Sequence, residues 1–253
     1  MTTTSTDAEA AAGERRGLHA RFEGRHRAVG GNALRAAVLG ANDGLVSNFS
    51  LVMGVAGAGG DRTAILVAGF AGLLAGALSM ALGEWLSVQS ARELYANQIA
   101  IEAQEIAELP EEEEEELRKI YEAKGVPPDA AREVAHRIIT GDRTQAVNTM
   151  AREELGIDPD ELGGSAWVAA GTSFALFAMG AIVPVLPYLF LTGSAAIVVS
   201  AVLSGLALFG VGAAITIVTG RGVIRSGIRQ LAFGLAAATI TYGIGTLFGA
   251  AIS

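Results

Sequence analysis

The sequence predicts an all-α membrane protein with five transmembrane helices and a cytoplasmic acidic helical insert between helices 2 and 3. Two observations lead to this prediction. Of the 253 residues, 51% are hydrophobic and only 17% are charged, whereas soluble domains usually carry about 25% charged residues. Acidic charge is concentrated in residues 91–164, which hold nineteen acidic and eight basic residues. The chain therefore divides into an Arg-rich tail (1–32), helices 1 and 2 (33–90), the insert (91–164) and helices 3–5 (165–253).

Five apolar stretches are long enough to cross a bilayer, which takes about 20 residues in a helix. The first two run from about Ala36 to Gly59 and from about Ala64 to Val88. No charged residue occurs from Ser165 to Gly220, and Thr192–Gly193–Ser194 splits this stretch into spans 3 and 4. Span 5 covers about 230–252. Four spans with a re-entrant segment form a weaker alternative, because each stretch is long enough to cross.

Arginines indicate how these spans are oriented. Six arginines lie between Arg15 and Arg35, and three more lie in the loop from Arg221 to Arg229. The loop after span 1 holds only Arg62, and the loop after span 3 holds no basic residue. Because short loops rich in Lys and Arg stay in the cytoplasm, the N-terminus and the insert are predicted to be cytoplasmic.

The insert is predicted to consist of helices. No Pro or Gly occurs between Gly83 and Pro110, so the helix of span 2 is expected to continue to Leu109. Pro110 suits the first position of a second helix, and a third follows the Pro127–Pro128 pair. Asp142 is expected to cap a fourth helix, because aspartate accepts hydrogen bonds from free N–H groups at a helix start.

Two carboxylates lie inside predicted spans, and such groups mark functional sites by default because they are costly in a membrane. Asp43 belongs to span 1 and Glu84 to span 2. Ser47 lies one helical turn from Asp43, and Met80 lies one turn from Glu84. These four residues are the predicted transport pathway, with a structural hydrogen-bonding role for the two carboxylates as the alternative. A carboxylate beside a thioether suits Fe²⁺ better than Mg²⁺ or Ca²⁺.

The insert repeats this combination of ligand types. Three predicted helices each carry a pair of metal-binding side chains three residues apart, which places both on one helix face. Carboxylates on facing helices can converge on a metal ion. The alternative is that the six glutamates of residues 111–116 form a solvated face. The predicted ligands are Glu102 and Glu105, Glu113 and Glu116, and Met150 and Glu153.

Other chemistries are excluded or unsupported. The chain has no cysteine, so thiolate zinc sites, iron–sulfur clusters and cysteine nucleophiles are excluded. Its three histidines are scattered, and no phosphate-binding loop follows a strand. The concentrated acidic charge would repel phosphate, so a nucleic-acid partner is not expected. No prosthetic group is predicted, and the protein is not expected to be an enzyme.

Two long motifs resemble the signatures of the vacuolar iron transporter family. Residues 40–47 (Gly-Ala-Asn-Asp-Gly-Leu-Val-Ser), which continue through 50–58, resemble its first-span signature. Residues 79–87 (Ser-Met-Ala-Leu-Gly-Glu-Trp-Leu-Ser) resemble its second-span signature. The resemblance covers about residues 33–253, including the five spans and the acidic insert.

The resemblance implies a homodimer in the membrane lipid that exports Fe²⁺ from the cytoplasm, with protons flowing inward. Mn²⁺ or Zn²⁺ are the alternative ions. Asp43 and Met80 match pathway positions between the protomers, and the six predicted ligands of the insert match positions that capture the ion. Thr149 stands where family members often have a second Met, which bears on metal preference. The 16 arginines against 2 lysines favour a prokaryotic cell (inner) membrane over a vacuole.

Two functions without coupled transport are the alternatives to export. The insert could be a ferroxidase that oxidises Fe²⁺ with paired carboxylates, although the di-iron bundles that do so add histidines that it lacks. The chain could also be a membrane sensor that binds metal without moving it, which would leave Asp43 unexplained.

Overall fold

The computed structural model describes residues 30–159, 164–219 and 222–252. Most of the predicted Arg-rich tail and Arg221 lie outside the described residues. The described residues contain helices and no strand, which confirms the all-α prediction. They form two compact units, one comprising the described residues up to Gly76 and from Leu176 onward, the other Ala77–Ala175.

The helices are numbered here in chain order, and the boundary between the two units falls inside α2 and α6. Of the nine described helices, one has five residues and the others have eleven or more. Their bounds are α1 Gly30–Gly57, α2 Arg62–Glu108, α3 Pro110–Ala123, α4 Pro128–Ile139, α5 Arg143–Glu153, α6 Ala166–Ile182, α7 Leu186–Phe190, α8 Gly193–Thr219 and α9 Val223–Ile252.

Three of the described helices, α2, α8 and α9, are long and apolar enough to cross a membrane. Helix α6 is apolar but has only 17 residues. Several apolar helices of this kind make the chain a multi-pass membrane protein. The count of five spans, which also includes α1 and α6, stays a prediction.

The predicted third span is not one continuous helix. Helix α6 ends at Ile182, and α7 begins at Leu186. Between them Val185 N donates to Ile182 O (3.0 Å) in a tighter turn. Pro184 has no N–H to donate and its ring clashes with the preceding helical turn, which is why the helix is interrupted there.

Helix α1 contacts two neighbours through glycines. A Cβ added to Gly180 of α6 would lie 1.9 Å from the carbonyl oxygen of Ala41, and one on Gly245 of α9 would lie 2.1 Å from that of Gly54. Such distances leave no room for a side chain. The small-residue motif Gly245-x-x-x-Gly249 therefore packs α9 against α1 within the chain.

A buried asparagine joins three helices of the first unit. Asn48 on α1 is 2% exposed, and its Nδ2 donates to Gly69 O of α2 (3.1 Å) and to Ala181 O of α6 (2.6 Å). A carboxamide is a useful linker here because it donates two hydrogen bonds at once. Gly72 lets α2 come close to this side chain, because a Cβ added there would lie 2.7 Å from Asn48 Oδ1.

The insert forms the helices expected from the sequence. Helix α2 continues unbroken to Glu108, and α3 starts at Pro110. Asp142 Oδ1 accepts from Gln145 N at 2.9 Å, so it caps α5 as expected. Gly125 and Gly156, which follow α3 and α5, have φ angles of +90° and +66°, a conformation in which glycine ends helices without strain.

The helices of the insert share an apolar core. Leu117 of α3 and Met150 of α5 are both 0% exposed, and Ile106 of α2 is 6% exposed. These side chains pack in one cluster with Ala135 and Ile139 of α4. The core holds α2, α3 and α5 side by side, which positions the polar residues on their adjoining faces.

We expect Gly180→Ala to destabilise the protein. Its Cβ would collide with the backbone of α1, and overpacking of this kind costs about 1–3 kcal/mol. The melting temperature of the detergent-solubilised full chain should therefore fall. Gly171→Ala on the same helix is the matched control, because nothing lies within 4 Å of its added Cβ. Equal melting temperatures for both variants would contradict the close contact.

Candidate metal centre

Three glutamates from different helices of the insert meet at one point. Glu102 lies on α2, beyond its apolar stretch, Glu113 lies on α3, and Glu154 caps the end of α5. One carboxylate oxygen of each lies within 4.8 Å of the others. Oxygens at this spacing can bind a single cation, because metal–oxygen bonds of about 2.0–2.6 Å place ligands on opposite sides of the ion.

Two of these carboxylates are withdrawn from water. Glu102 is 2% exposed and Glu113 is 6% exposed, while Glu154 is exposed. Glu102 Oε1 and Glu113 Oε2 are buried without a hydrogen-bond partner. A buried polar atom without a partner is costly, and a buried charge more so. The cluster therefore needs either protons or a cation, and its open side at Glu154 leaves a route for an ion to enter.

The electrostatics of the cluster follow from burial and like charge. Burial, and then the charges of Glu154, Glu113 and Glu105, raise the pKa of Glu102 from 4.5 to about 8. Burial and neighbouring carboxylates also raise the pKa of Glu113 and that of Glu154. Carboxyl groups this close cannot all be ionised at neutral pH without a positive charge. A divalent cation would supply that charge and displace the protons.

Glu105 and Glu116, which the sequence predicted as ligands, lie near the cluster but outside it. Both are exposed. The charge of Glu105 raises the pKa of Glu102, Glu113 and Glu154. The charge of Glu116 raises the pKa of Glu113 and Glu154. Their charges can attract a cation toward the three central oxygens, and direct ligation by either stays a prediction.

The predicted pair on α5, Met150 and Glu153, is placed differently from the predicted pairs on α2 and α3. Met150 is fully buried in the apolar core of the insert. Glu153 forms an ion pair with Lys124. Glu154, which sequence reasoning missed, brings its carboxylate to Glu102 and Glu113 instead. The missed signal is that Glu154 follows Met150 by four residues, which is also one helical turn.

The predicted pathway residues lie on α1 and α2. Asp43 and Ser47 are exposed on α1, where Ser47 Oγ donates to the Asp43 carbonyl oxygen at 2.6 Å. On α2, Met80 is half-buried and Glu84 is exposed. Trp85 beside Glu84 packs against Trp167, with ring centroids 5.8 Å apart. Tryptophans favour the boundary between lipid and water, so we expect Glu84 to lie near a membrane surface.

Apolar helices combined with a partly buried carboxylate cluster are features of a membrane protein that handles metal cations. Comparison with known proteins agrees. The family model described as VIT family matches residues 34–246. A protein from Oryza sativa subsp. japonica called vacuolar iron transporter homolog 1 is 39% identical over 85% of this chain and 74% of its own length. The vacuolar iron transporter of Acanthamoeba castellanii is 35% identical over 91% of this chain and 85% of its own length.

The chain belongs to the VIT family. Vacuolar iron transporter 1 of Arabidopsis thaliana, 31% identical over 84% of each chain, is a further relative. The predicted family resemblance is thus confirmed. The protein is a metal-ion transport protein of the membrane and not an enzyme.

Metal affinity should increase with pH. Since Glu102 has a pKa of about 8, a proton must leave before it can bind a cation. The apparent dissociation constant for Mn²⁺ is expected to rise about tenfold for each pH unit below 8. Isothermal titration calorimetry of the full chain in detergent between pH 6 and pH 8 measures this. Glu102→Gln should flatten the dependence, and a constant affinity in the wild type would contradict the assignment.

Replacing Glu154 should weaken Mn²⁺ binding more than replacing Glu153. Glu154→Gln removes a carboxylate of the cluster, and we expect at least about a tenfold loss of affinity, since even removing an outer partner of a ligand causes that much. Glu153→Gln is the matched control and should leave affinity nearly unchanged, because Glu153 pairs with Lys124. The reverse order would assign the ligand to Glu153, as the sequence predicted.

Proposed function

We propose that this protein exports Fe²⁺ from the cytoplasm in exchange for protons, and that Glu102, Glu113 and Glu154 capture the ion. The observation that carries the proposal is the convergence of three carboxylate oxygens within 4.8 Å, two of them on buried side chains. The names of the relatives, which are vacuolar iron transporters, support iron as the ion. Mn²⁺ and Zn²⁺ are alternatives, because carboxylates bind all three.

Capture begins with attraction of the cation to acidic charge. The exposed carboxylates of Glu105 and Glu116 raise the local cation concentration, and the ion enters the cluster from the side of Glu154. Glu102 then loses its proton, because the cation stabilises its charged form. At lower pH, protonation of Glu102 releases the ion. Met150 is fully buried in the apolar core, so the ligands at the central site are carboxylate oxygens. Such a site suits a divalent ion that must also dissociate.

The pathway through the membrane is proposed to use Asp43, Ser47, Met80 and Glu84. Exchange of a metal ion for protons requires a group that alternates between a charged form and a protonated form. Asp43 fits this role because it lies on an exposed stripe of α1 in the same unit as the apolar core. Glu84 is the second candidate, near the boundary marked by Trp85.

The stripe that contains Asp43 favours a homodimer. Four exposed residues follow one another at four-residue spacing on α1: Leu39, Asp43, Ser47 and Leu51. A charged side chain facing lipid at a span centre costs about 2.5 kcal/mol or more. A second copy of the chain packed on this stripe would remove Asp43 from lipid and enclose a polar path between two α1 helices.

The membrane and the orientation complete the proposal. The arginine distribution supports a cytoplasmic N-terminus and a cytoplasmic insert, where the cluster would meet the ion before transport. The arginine-rich composition favours a cell membrane, whereas the relatives are named as vacuolar proteins. In either membrane the exported ion leaves the cytoplasm.

Asp43→Asn should abolish coupling between the pH gradient and transport, because an amide cannot carry a proton on and off. The measurement is Fe²⁺ and Mn²⁺ uptake into proteoliposomes with an acidic interior and with no gradient. Gradient-driven uptake by the wild type and its loss in Asp43→Asn are expected. Asp61→Asn is the matched control, since Asp61 only caps α2 through Ala64 N and asparagine caps equally well.

Full gradient-driven uptake by Asp43→Asn would remove Asp43 from the mechanism. Absence of uptake by the wild type, with Mn²⁺ still bound, would favour a sensor. Oxygen consumption by the full chain on adding Fe²⁺ would favour a ferroxidase.

The homodimer is testable because the chain has no cysteine. We expect Ser47→Cys to form a disulfide-linked dimer in membranes under mild oxidation, since two copies of the α1 stripe would face each other. Leu206→Cys on α8 is the control, because Leu206 is 66% exposed and lies on a helix that the proposal leaves facing lipid. Electrophoresis without reductant separates the products. Crosslinking at residue 206 and none at residue 47 would contradict this interface.

A further inference from the structure

The start of α9 forms a basic pocket that the transport proposal does not use. A cavity of about 710 Å³ opens there, and its described lining residues are Gly222, Arg225, Ser226, Ile228 and Arg229. The two arginines are one helical turn apart, so their side chains lie on the same face. Both are exposed, and neither forms an ion pair or a hydrogen bond with any residue the structure describes.

The charges at this helix end are opposite to those that stabilise a helix. The N-terminal end of a helix carries partial positive charge and favours acidic residues. Helix α9 has no acidic residue in its first turn and instead carries Arg225 there. The first intrahelical hydrogen bond runs from Ser226 N to Gly222 O (3.1 Å), so the N–H groups of the three preceding residues lack a carbonyl inside the helix. Gly222 has no side chain that could cap them.

A serine hydroxyl points to a ligand as well. Ser226 is 4% exposed and lines the cavity. Its Oγ forms no hydrogen bond with the other described residues, so it is free to donate one to a group bound in the cavity. A general attraction between surface arginines and a membrane would not require this group. Two guanidinium groups and a hydroxyl around one cavity, beside the N-terminal end of a helix, are the donors that bind a phosphate oxyanion.

We propose that the pocket formed by Arg225, Ser226, Arg229 and the start of α9 binds the phosphate group of an anionic lipid. Three neighbouring apolar side chains favour a lipid over free phosphate. Val223, Ile224 and Ile228 are 50%, 70% and 55% exposed around the pocket, so acyl chains can pack beside the headgroup. Basic pockets at the ends of transmembrane helices bind anionic headgroups for this reason.

The test is native mass spectrometry of the full chain in detergent, titrated with phosphatidylglycerol or with phosphatidylcholine of the same acyl chains. The wild type should bind phosphatidylglycerol at least about tenfold more tightly, because charge-assisted hydrogen bonds are the strong ones. Arg225→Gln/Arg229→Gln should remove this preference. Arg132→Gln/Arg137→Gln, which removes two exposed arginines of α4, should retain it.

Ser226→Ala separates a pocket from diffuse attraction, because it changes no charge. We expect severalfold weaker binding of phosphatidylglycerol in this variant. Binding equal to the wild type would overturn the pocket, and so would equal losses in the two double arginine variants. Displacement of phosphatidylglycerol by inorganic phosphate at millimolar concentration would keep the phosphate site but overturn the lipid as its occupant.

Discussion

The packing of the first unit, which contains α1, α8 and α9, depends on close backbone contacts at glycine residues. Lipid tails are as apolar as leucine, so helices in a bilayer gain little from burying apolar side chains against each other and instead need close approach. Gly180 and Gly245 give α1 that approach on two sides, against α6 and α9. Because these contacts occupy the other faces of α1, the stripe with Asp43 is left exposed. The exposed position of Asp43, for which a role in transport is proposed, thus follows from where the glycines are.

In the insert, an apolar core places like charges together. Leu117, Met150 and their neighbours hold α2, α3 and α5 in contact. This packing brings the carboxylates of Glu102, Glu113 and Glu154 close together. Their mutual repulsion and burial raise the pKa of Glu102 to about 8. The free energy of apolar packing therefore offsets the repulsion between carboxylates, which is relieved by bound protons or a bound cation. Such a site exchanges one for the other, which is the chemistry that ion capture requires.

The carboxylate cluster of the insert and the proposed pathway at Asp43 differ in the number of ligands that they offer an ion. Glu102 and Glu113 are withdrawn from water and meet a third carboxylate, so this site can hold a cation tightly. Asp43 is exposed on α1 and has one other polar side chain, Ser47, next to it on the same stripe. A sparse site binds weakly, and weak binding suits a place that an ion must pass through. The proposed capture and passage of the ion thus use different parts of the chain, which differ in their number of ligands.

The sequence by itself determined the all-helical class, the long α2, the helix start at Pro110, the cap at Asp142 and the family, because periodicity, helix-breaking residues and long motifs are local properties. It also identified Glu102 and Glu113. Tertiary structure decided that Glu154 joins them while Glu153 pairs with Lys124, since the direction of a side chain at the end of a helix depends on packing. It likewise decided that Gly245 contacts α1 within the chain, because a small-residue motif does not specify which helix it meets.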